Sequence, residues 1–499
     1  MTRIDRRYFV LGGLTAAGSL VLPSSALAAV PNPFQLGVAS GDPATTSVVL
    51  WTRLAVKPLN ADGHGGMGRA DVPVQWQVAT TAGFAKVVAS GTATARYEDA
   101  HAIHVVARGL KPGTVYYYRF RARGHISQVG RTRTAPASGT FGPDLRIAVA
   151  SCANYESGYY TAYRRMAEDR PDLVLFLGDY IYEESRSPGR VRTHAGGETV
   201  TLADYRRRYA QYRTDPDLRA AHAAAPWIVV PDDHEVENNY AKLTRANNRP
   251  VLSASKWRAR QAAAYRAYYE NMPLRSATFQ RRVHWGRLAT FHMLDTRRFR
   301  DDQACGDWWK VCDAADLPGR TITGAAQEKW LLDGLARHDG TWDVLGQQVF
   351  FAQFADEDGG ANMDAWDGYR AARDRLQRGW LARGVRNPLV LTGDVHAAFA
   401  NDLKLDYRDP GSATIGTELI CTSISSNGDG TPLTEIPFAR VNPHLRYFSE
   451  RRGYTLVTLG RDRARADFRT LPVVTRRGAR VATHASFVTE AGRPGLRRL

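Results

Sequence analysis

The sequence predicts two domains of different class: an all-β, immunoglobulin-like sandwich over 34–135, then a larger α/β domain over 145–475. Three observations carry this. First, about seven short β-rich runs crowd 34–135, separated by Gly, Pro and Asp, which is the density of a sandwich. Second, from 145 onward buried-looking apolar runs alternate with helical patterns, the signature of an α/β domain. Third, the stretch 136–144, Pro-Ala-Ser-Gly-Thr-Phe-Gly-Pro-Asp, reads as a linker between them.

The chain has 499 residues, more than one average domain holds. Its 43% hydrophobic and 10% aromatic content supports large cores and excludes general disorder. The net charge of +17 is spread along the chain without a Lys/Arg block. It therefore reads as a solvated basic surface, and no specific nucleic-acid partner is expected.

Residues 1–29 read as a targeting segment. Arg6-Arg7 precedes an apolar stretch over 11–22 and then Ala26-Leu27-Ala28, which resembles a twin-arginine signal peptide. The implied partner is the twin-arginine translocation machinery. The implied destination is secreted, periplasmic or cell-wall associated. No later run reaches the ~20 apolar residues of a transmembrane helix, so none is expected in the mature chain. In an exported protein disulfides are permitted. Of the four cysteines, Cys305 and Cys312 sit in one loop and are paired in this reading, whereas Cys152 and Cys421 are not an obvious pair.

In chain order, strands are read at 47–51, 74–78, 104–107 and 115–121, the last entered through the Lys111-Pro112-Gly113-Thr114 turn. His101 and His104 belong to this region and read as strand-surface residues. Past the linker come a strand at 145–152, a helix at 159–169 ending before Pro171, and a fully apolar strand at 173–177. Helices follow at 201–224, then a strand from Trp227 into Asp232-Asp233-His234-Glu235, and a helix at 253–270. Two strands flank Trp285-Gly286. A helix is read at 325–336, strands at 347–352 and 388–392, and a closing hairpin at 454–459 and 464–468. Residues 476–499 read as a basic, poorly ordered tail.

Four apolar strands end in the same kind of chemistry: Ser151-Cys152-Ala153-Asn154, Gly178-Asp179-Tyr180-Ile181-Tyr182, Asp232-Asp233-His234-Glu235 and Gly393-Asp394-Val395-His396. In a sheet with strands in register such ends converge on one edge, where open α/β sheets place ligands. Buried together, these carboxylates, imidazoles, phenol and thiol are costly unless cations join them. Each motif alone has a plain reading: a capping Asp, a packing Tyr, a core thiol at Cys152. Four together point to a metal site. Leu294-Asp295-Thr296-Arg297 also follows a strand. Arg297 reads equally as a donor to a phosphate oxygen or as a surface salt bridge.

These motifs resemble the metallophosphoesterase pattern. Cys152 with Asp232-Asp233-His234-Glu235 and Gly393-Asp394-Val395-His396 is specifically similar to the alkaline phosphatase D (PhoD) family. Phe34 to Pro43, Leu50-Trp51-Thr52-Arg53 and Val129 to Arg133 are similar to that family's amino-terminal domain, so the resemblance spans roughly 34 to 475. It implies an αββα sandwich for the second domain and a trivalent iron, Fe(3+), beside calcium, Ca(2+). On that mapping Cys152, Asp179, Tyr182 and His396 hold iron, and Asp179 bridges to calcium. Asp233 and Asp394 serve calcium, with Asn238 or Asn239 adding an oxygen. His234 stands by the substrate, donating to a phosphate oxygen or to the leaving alkoxide. The implied activity is hydrolysis of phosphomonoesters or phosphodiesters, small-molecule or lipid, by metal-activated water or hydroxide. The alternatives are a phospholipase D-like phosphodiesterase acting on head groups, as in iron/calcium members of that family, and a secreted β-sandwich binding protein.

The remaining features take plain readings. Cys421 is structural. His194, His222, His284 and His292 are core or surface. Ser425 to Gly430 is a turn in preference to a pocket wall. Glu183 and Glu184 are supporting or solvent-facing acids. Trp308-Trp309 is a candidate lid over the site, able to touch lipid.

Overall fold

A computed structural model describes residues 30–185, 187–246, 252–409 and 411–499. The segment read as a twin-arginine signal, 1–29, lies outside the described residues.

The run at 173–177 shows how the fold is built. Leu173, Leu175 and Leu177 enter one apolar core, whereas Val174 and Phe176 enter another. Alternate side chains of a strand point to opposite faces, so this strand is covered on both sides. It spans Leu173–Phe176 and lies between parallel neighbours, Leu145–Ala150 (Leu173 opposite Ile147) and Pro226–Val229 (Val174 opposite Trp227). These three form the centre of a ten-stranded sheet. A seven-stranded sheet faces it, with Ala289–Met293, Trp342–Gln347, Pro388–Thr392 and Thr414–Ile420 parallel in that order.

Between the sheets lies one core, in which Ile147, Leu175 and Ile228 share a cluster with Phe291, Val344 and Leu391. Truncating Leu175 to Ala there costs about 2–5 kcal/mol. On the outer face of the larger sheet, Val174, Phe176 and Trp227 pack with Tyr163, Tyr205 and Tyr209 from the helices Thr161–Glu168 and Leu202–Arg213. On the outer face of the smaller sheet, Leu345 and Val390 pack with Leu331 and Trp380 from Ala325–Leu335 and Arg370–Ala382. The order of layers is helix, sheet, sheet, helix, as the resemblance implied. Asp215 explains why 201–224 is two helices. Its side chain accepts from the Asp217 and Leu218 amides, with Pro216 opening the helix Pro216–Ala224.

The all-β region is present, and its second sheet continues beyond it. Trp76, Val78 and Tyr118 belong to a sheet formed by Val72–Ala79, Val87–Ala95, Val115–Ala122 and two short strands. The strands Val38–Ala44, Ser47–Arg53 and Ala102–Ala107 instead extend the ten-stranded sheet, through parallel pairing of Ser40 with Pro226. Gly41 permits this, because a Cβ there would lie 2.3 Å from the Pro273 carbonyl oxygen.

Two readings are corrected. The strand placed at 347–352 is Trp342–Gln347. Beyond it the backbone leaves the ladder, and the amides of Phe351 and Ala352 donate to the buried Glu418 carboxylate at 2.8 and 3.0 Å. The residues 476–499, read as a poorly ordered tail, contain the strands Ala482–Glu490 and Arg493–Arg498. Phe487 and Leu496 enter the inter-sheet core, and their exposed partners carry the charge that made the segment look like a tail. Cys305 and Cys312 are disulfide-bonded. No helix among the described residues is long and apolar enough to cross a membrane.

Candidate metal centre

Register brings three strand ends together. Phe176 pairs with both Ala150 and Val229, so Cys152, Asp179 and Asp232 to Glu235 leave the ten-stranded sheet side by side. The fourth end comes from the facing sheet. Gly393 follows Pro388–Thr392, and a Cβ on it would lie 2.9 Å from both the Leu177 carbonyl oxygen and Ser151 Cβ. Only glycine lets the two sheets meet so closely. Gly178 plays the same part beside Asp232, at φ +106° with 2.3 Å to Asp232 Cβ. Beyond the strands the chain turns through left-handed backbone at Cys152, Asp179, Asp394 and His396 (φ 55–61°). Four such residues at one edge are a marker of strain held by the surrounding structure.

Two groups of potential metal ligands result, each with all its ligand atoms within 4.8 Å of one another: Cys152, Asp179 and His396, and Asp179, Asp232 and Asp233. Asp179 belongs to both. The Tyr182 hydroxyl joins the first group, donating to Asp179 Oδ2 at 2.9 Å and lying 2.9 Å from His396 Nε2. Ser426 Oγ lies 2.7 Å from Tyr182 Oη, and Asn427 Nδ2 lies 3.0 Å from His396 Nδ1. The loop read as a plain turn therefore lines the site. Its two side chains reach back to the ligand cluster because Ser426 Oγ is anchored on the Cys152 carbonyl.

Asp232 and Asp233 of the second group, with Asp364 and Asp394, surround Arg297. Its Nε donates to Asp232 Oδ1 at 2.5 Å and its Nη1 to Asp364 Oδ2 at 2.7 Å, while Nη2 lies 3.5 Å from both Asp233 and Asp394. Arg297 is 1% exposed, so it is not a surface salt bridge, and its nitrogens face carboxylates. It neutralises carboxylates from beneath. Glu235 fixes the backbone of both groups, accepting from the amides of Asp179, Tyr180 and Asp232 at 3.0, 2.6 and 2.6 Å. His234 Nδ1 is 2.6 Å from Glu183, which also accepts from the Asn238 amide at 3.0 Å. Asn239 gives its amide to Asp233 at 2.7 Å and its carboxamide to Asp307 at 3.0 Å. Asn238 lines the cleft beside it.

Electrostatics follows from burial and crowding. Burial and then the Asp233 carboxylate push Asp179 well above the usual carboxylate range. Burial and then Asp232 do the same to Asp394. Burial and then Asp179 raise the Cys152 thiol and the Tyr182 phenol. Burial opposes the charge on His234 but is outweighed by Glu183, Asp179 and Asp233, which raise it. His396 goes down to about 3, by burial and then Arg452. Asp179 Oδ1, Asp232 Oδ2 and Asp233 Oδ1 are buried without a hydrogen bond among the described residues. Orphaned, buried, crowded oxygens of this kind fit cations.

Of the nine site residues read from sequence, eight line or form this cluster, and Arg297 lies under it. The sequence reading missed Asp232 as a group member, Asp364 and Asn427. Asp232 carried the same strand-end signal as Asp233. Asp364 follows only the two-residue strand Ala361–Asn362, with no apolar run before it, and had none. Cys421 is a buried thiol, donating to the Thr392 carbonyl at 3.3 Å. Above the cluster opens a cleft of about 820 Å³, walled by Asp307, Trp308, Trp309, Phe350 and Phe354.

Residues 147–468 match the family model for PhoD-like phosphatase, and 21–136 match that for the PhoD-like phosphatase N-terminal domain. The chain is 45% identical to alkaline phosphatase D of Bacillus subtilis (strain 168), over 99% of this chain and 89% of that protein. It superposes on the solved structure of PhoD with a TM-score of 0.89 and 45% identity, covering 94% of this chain and 92% of that one. A segment of 81 residues is 35% identical to purple acid phosphatase 15 of Arabidopsis thaliana, covering 16% of this chain and 15% of that protein.

Proposed function

The chain belongs to the PhoD-like phosphatase family and is a phosphoric ester hydrolase, and from that premise we propose that it hydrolyses phosphomonoesters and phosphodiesters at an iron–calcium pair built on Asp179. In this reading Cys152, Asp179, Tyr182 and His396 hold ferric iron, a set of thiolate, phenolate, imidazole and carboxylate suited to a transition metal. Asp179, Asp233, Asp394 and Asn238 hold calcium, an oxygen-only set. What supports it is one observation: Asp179 is common to both ligand groups, and carboxylate oxygens in them are buried without hydrogen bonds. When bound, the ions supply the charge that acidifies a water molecule and steadies the phosphoryl oxygens.

The protein's own residues do the rest. Glu235 holds the 179 and 232 turns at fixed separation, and Arg297 favours the charged form of the Asp232, Asp233 and Asp394 carboxylates against burial and helps to aim them. His234, oriented through Nδ1 by Glu183, has Nε2 as the nitrogen left to donate a proton. As water oxygen bonds to phosphorus and the ester P–O bond breaks, that proton goes to the leaving alkoxide. Export by the twin-arginine route belongs to the same reading, and the Cys305–Cys312 disulfide agrees with an oxidising compartment.

The test is turnover of an aryl phosphate and a bis-aryl phosphate, as isolated, after exhaustive chelation, and after return of iron and calcium, with elemental analysis at each stage. Activity is expected to vanish on chelation and return only with both ions, together with a visible band from the Tyr182 phenolate on iron. Full turnover with neither ion bound would overturn the reading.

A further inference from the structure

Trp308 and Trp309 are neighbours with opposite surroundings. Trp309 packs edge-on to Phe354, with ring centroids 5.4 Å apart, and its place is explained by packing. Trp308 is 67% exposed at the wall of the cleft. It also holds φ +76°, a conformation that a bulky side chain rarely adopts.

Neither burial nor backbone preference accounts for Trp308, yet its position is fixed from several sides. The Cys305–Cys312 disulfide closes the loop. The Trp308 amide donates to Asp307 Oδ1 at 2.7 Å, and the Trp308 carbonyl accepts from Met363 at 3.0 Å. The next two residues pair with Asn362 and Ala361 in a two-stranded ladder. Asp307 in turn binds Asn239, whose amide holds Asp233. The backbone that carries the indole is thus held in fixed relation to the ligand cluster, at the wall of a cleft of about 820 Å³. That volume is in the range of pockets that enclose a drug-sized molecule, far more than a phosphate alone fills.

We propose that Trp308 is a specificity-determining residue: its indole face stacks on a planar organic group esterified to the phosphate bound at the Asp179 cluster, and selects esters that carry one. The inference rests on hydrolysis taking place at that cluster. An aromatic side chain with two χ angles on an anchored backbone binds flat partners with little ordering cost, and such stacking discriminates by shape and not by charge.

The experiment compares kcat and KM of the wild type, Trp308→Ala and Trp308→Phe on an aryl phosphate and on a small polyol phosphate. For Trp308→Ala the ratio of kcat/KM, aryl over polyol, should fall on the order of fivefold, with the loss in KM. Trp308→Phe should restore most of the ratio. A ratio unchanged in Trp308→Ala, with both esters still turned over, overturns the stacking role alone. So does a loss shared equally by both esters. Failure of the wild type to hydrolyse either ester would instead remove the reading on which it rests.

Discussion

On one side of Asp179 stand a thiol, a phenol and an imidazole; on the other stand carboxylates gathered around one guanidinium. The two sides are built by the same device, strand ends with left-handed turns, and differ in how their charge is balanced. The mixed side is supported by hydroxyl and amide groups, Ser426 and Asn427, which set orientation. The acidic side has a fixed internal cation, Arg297, which offsets part of the repulsion among three buried aspartates and the half-buried Asp394. A buried cation under an acidic cluster reduces the charge available to an ion above it, so the acidic side suits a cation that binds through many oxygens and modest field. On the mixed side the guanidinium of Arg452 donates to the His396 carbonyl and not to a ligand side chain, and that side suits a cation that makes strong, directional bonds.

The comparison breaks first at the shared residue. Asp179→Asn should lower activity on the order of 10³-fold and reduce both metals together in elemental analysis, because each side loses the same ligand. Loss of one metal alone would mean that the sides are independent. The next largest effect is expected beneath the acidic side. Arg297→Met leaves buried carboxylates uncompensated and should destabilise the protein by about 3–5 kcal/mol, read from the denaturation midpoint. If stability held and only activity fell, Arg297 would act on substrate after all.

On the mixed side, Ser426→Ala should cost about 10–100-fold in affinity for the metal held with Tyr182 and displace its visible band, with the acidic side unaffected. The smallest effect separates the two free thiols. Cys152→Ser should abolish or shift that band, whereas Cys421→Ala should lose only about 1 kcal/mol of stability and leave the spectrum as it was. Equal spectra for both variants would reduce Cys152 to a core thiol.

The fold was legible where patterns were strong. The run at 173–177 has no charge and had to be a covered strand, and the helices at 201–224 and 254–271 carry their own caps. Strand Ala398–Lys404, with Asn401 and Asp402 in its midst, was not legible. Its polar side chains are satisfied by partners distant in sequence, such as Glu418 for Asn401 and the Leu496 amide for Asp402. The apolar run at 349–352 misled for the converse reason: buried side chains do not require a ladder when a carboxylate takes the amides. In the site, strand-end residues announced themselves through spacing. Arg297 was visible but its burial was not, since a guanidinium surrounded by acids has the same local sequence as one in water.

The ten-stranded sheet also sets a condition on the order of folding. The strands that carry Cys152 and Asp179 are flanked on one side by 38–44 and 226–229 and on the other by 453–459, 463–470, 482–490 and 493–498. During synthesis the edge beside 145–150 stays uncovered for some three hundred residues, roughly a quarter to one minute of elongation at typical rates. Its apolar edge and inner face are exposed for that interval, and such non-local pairings are slow to form. The hairpin near the carboxyl end is thus a late clasp on the sheet. Truncation within it would be felt first as aggregation during expression, before any change in the finished site.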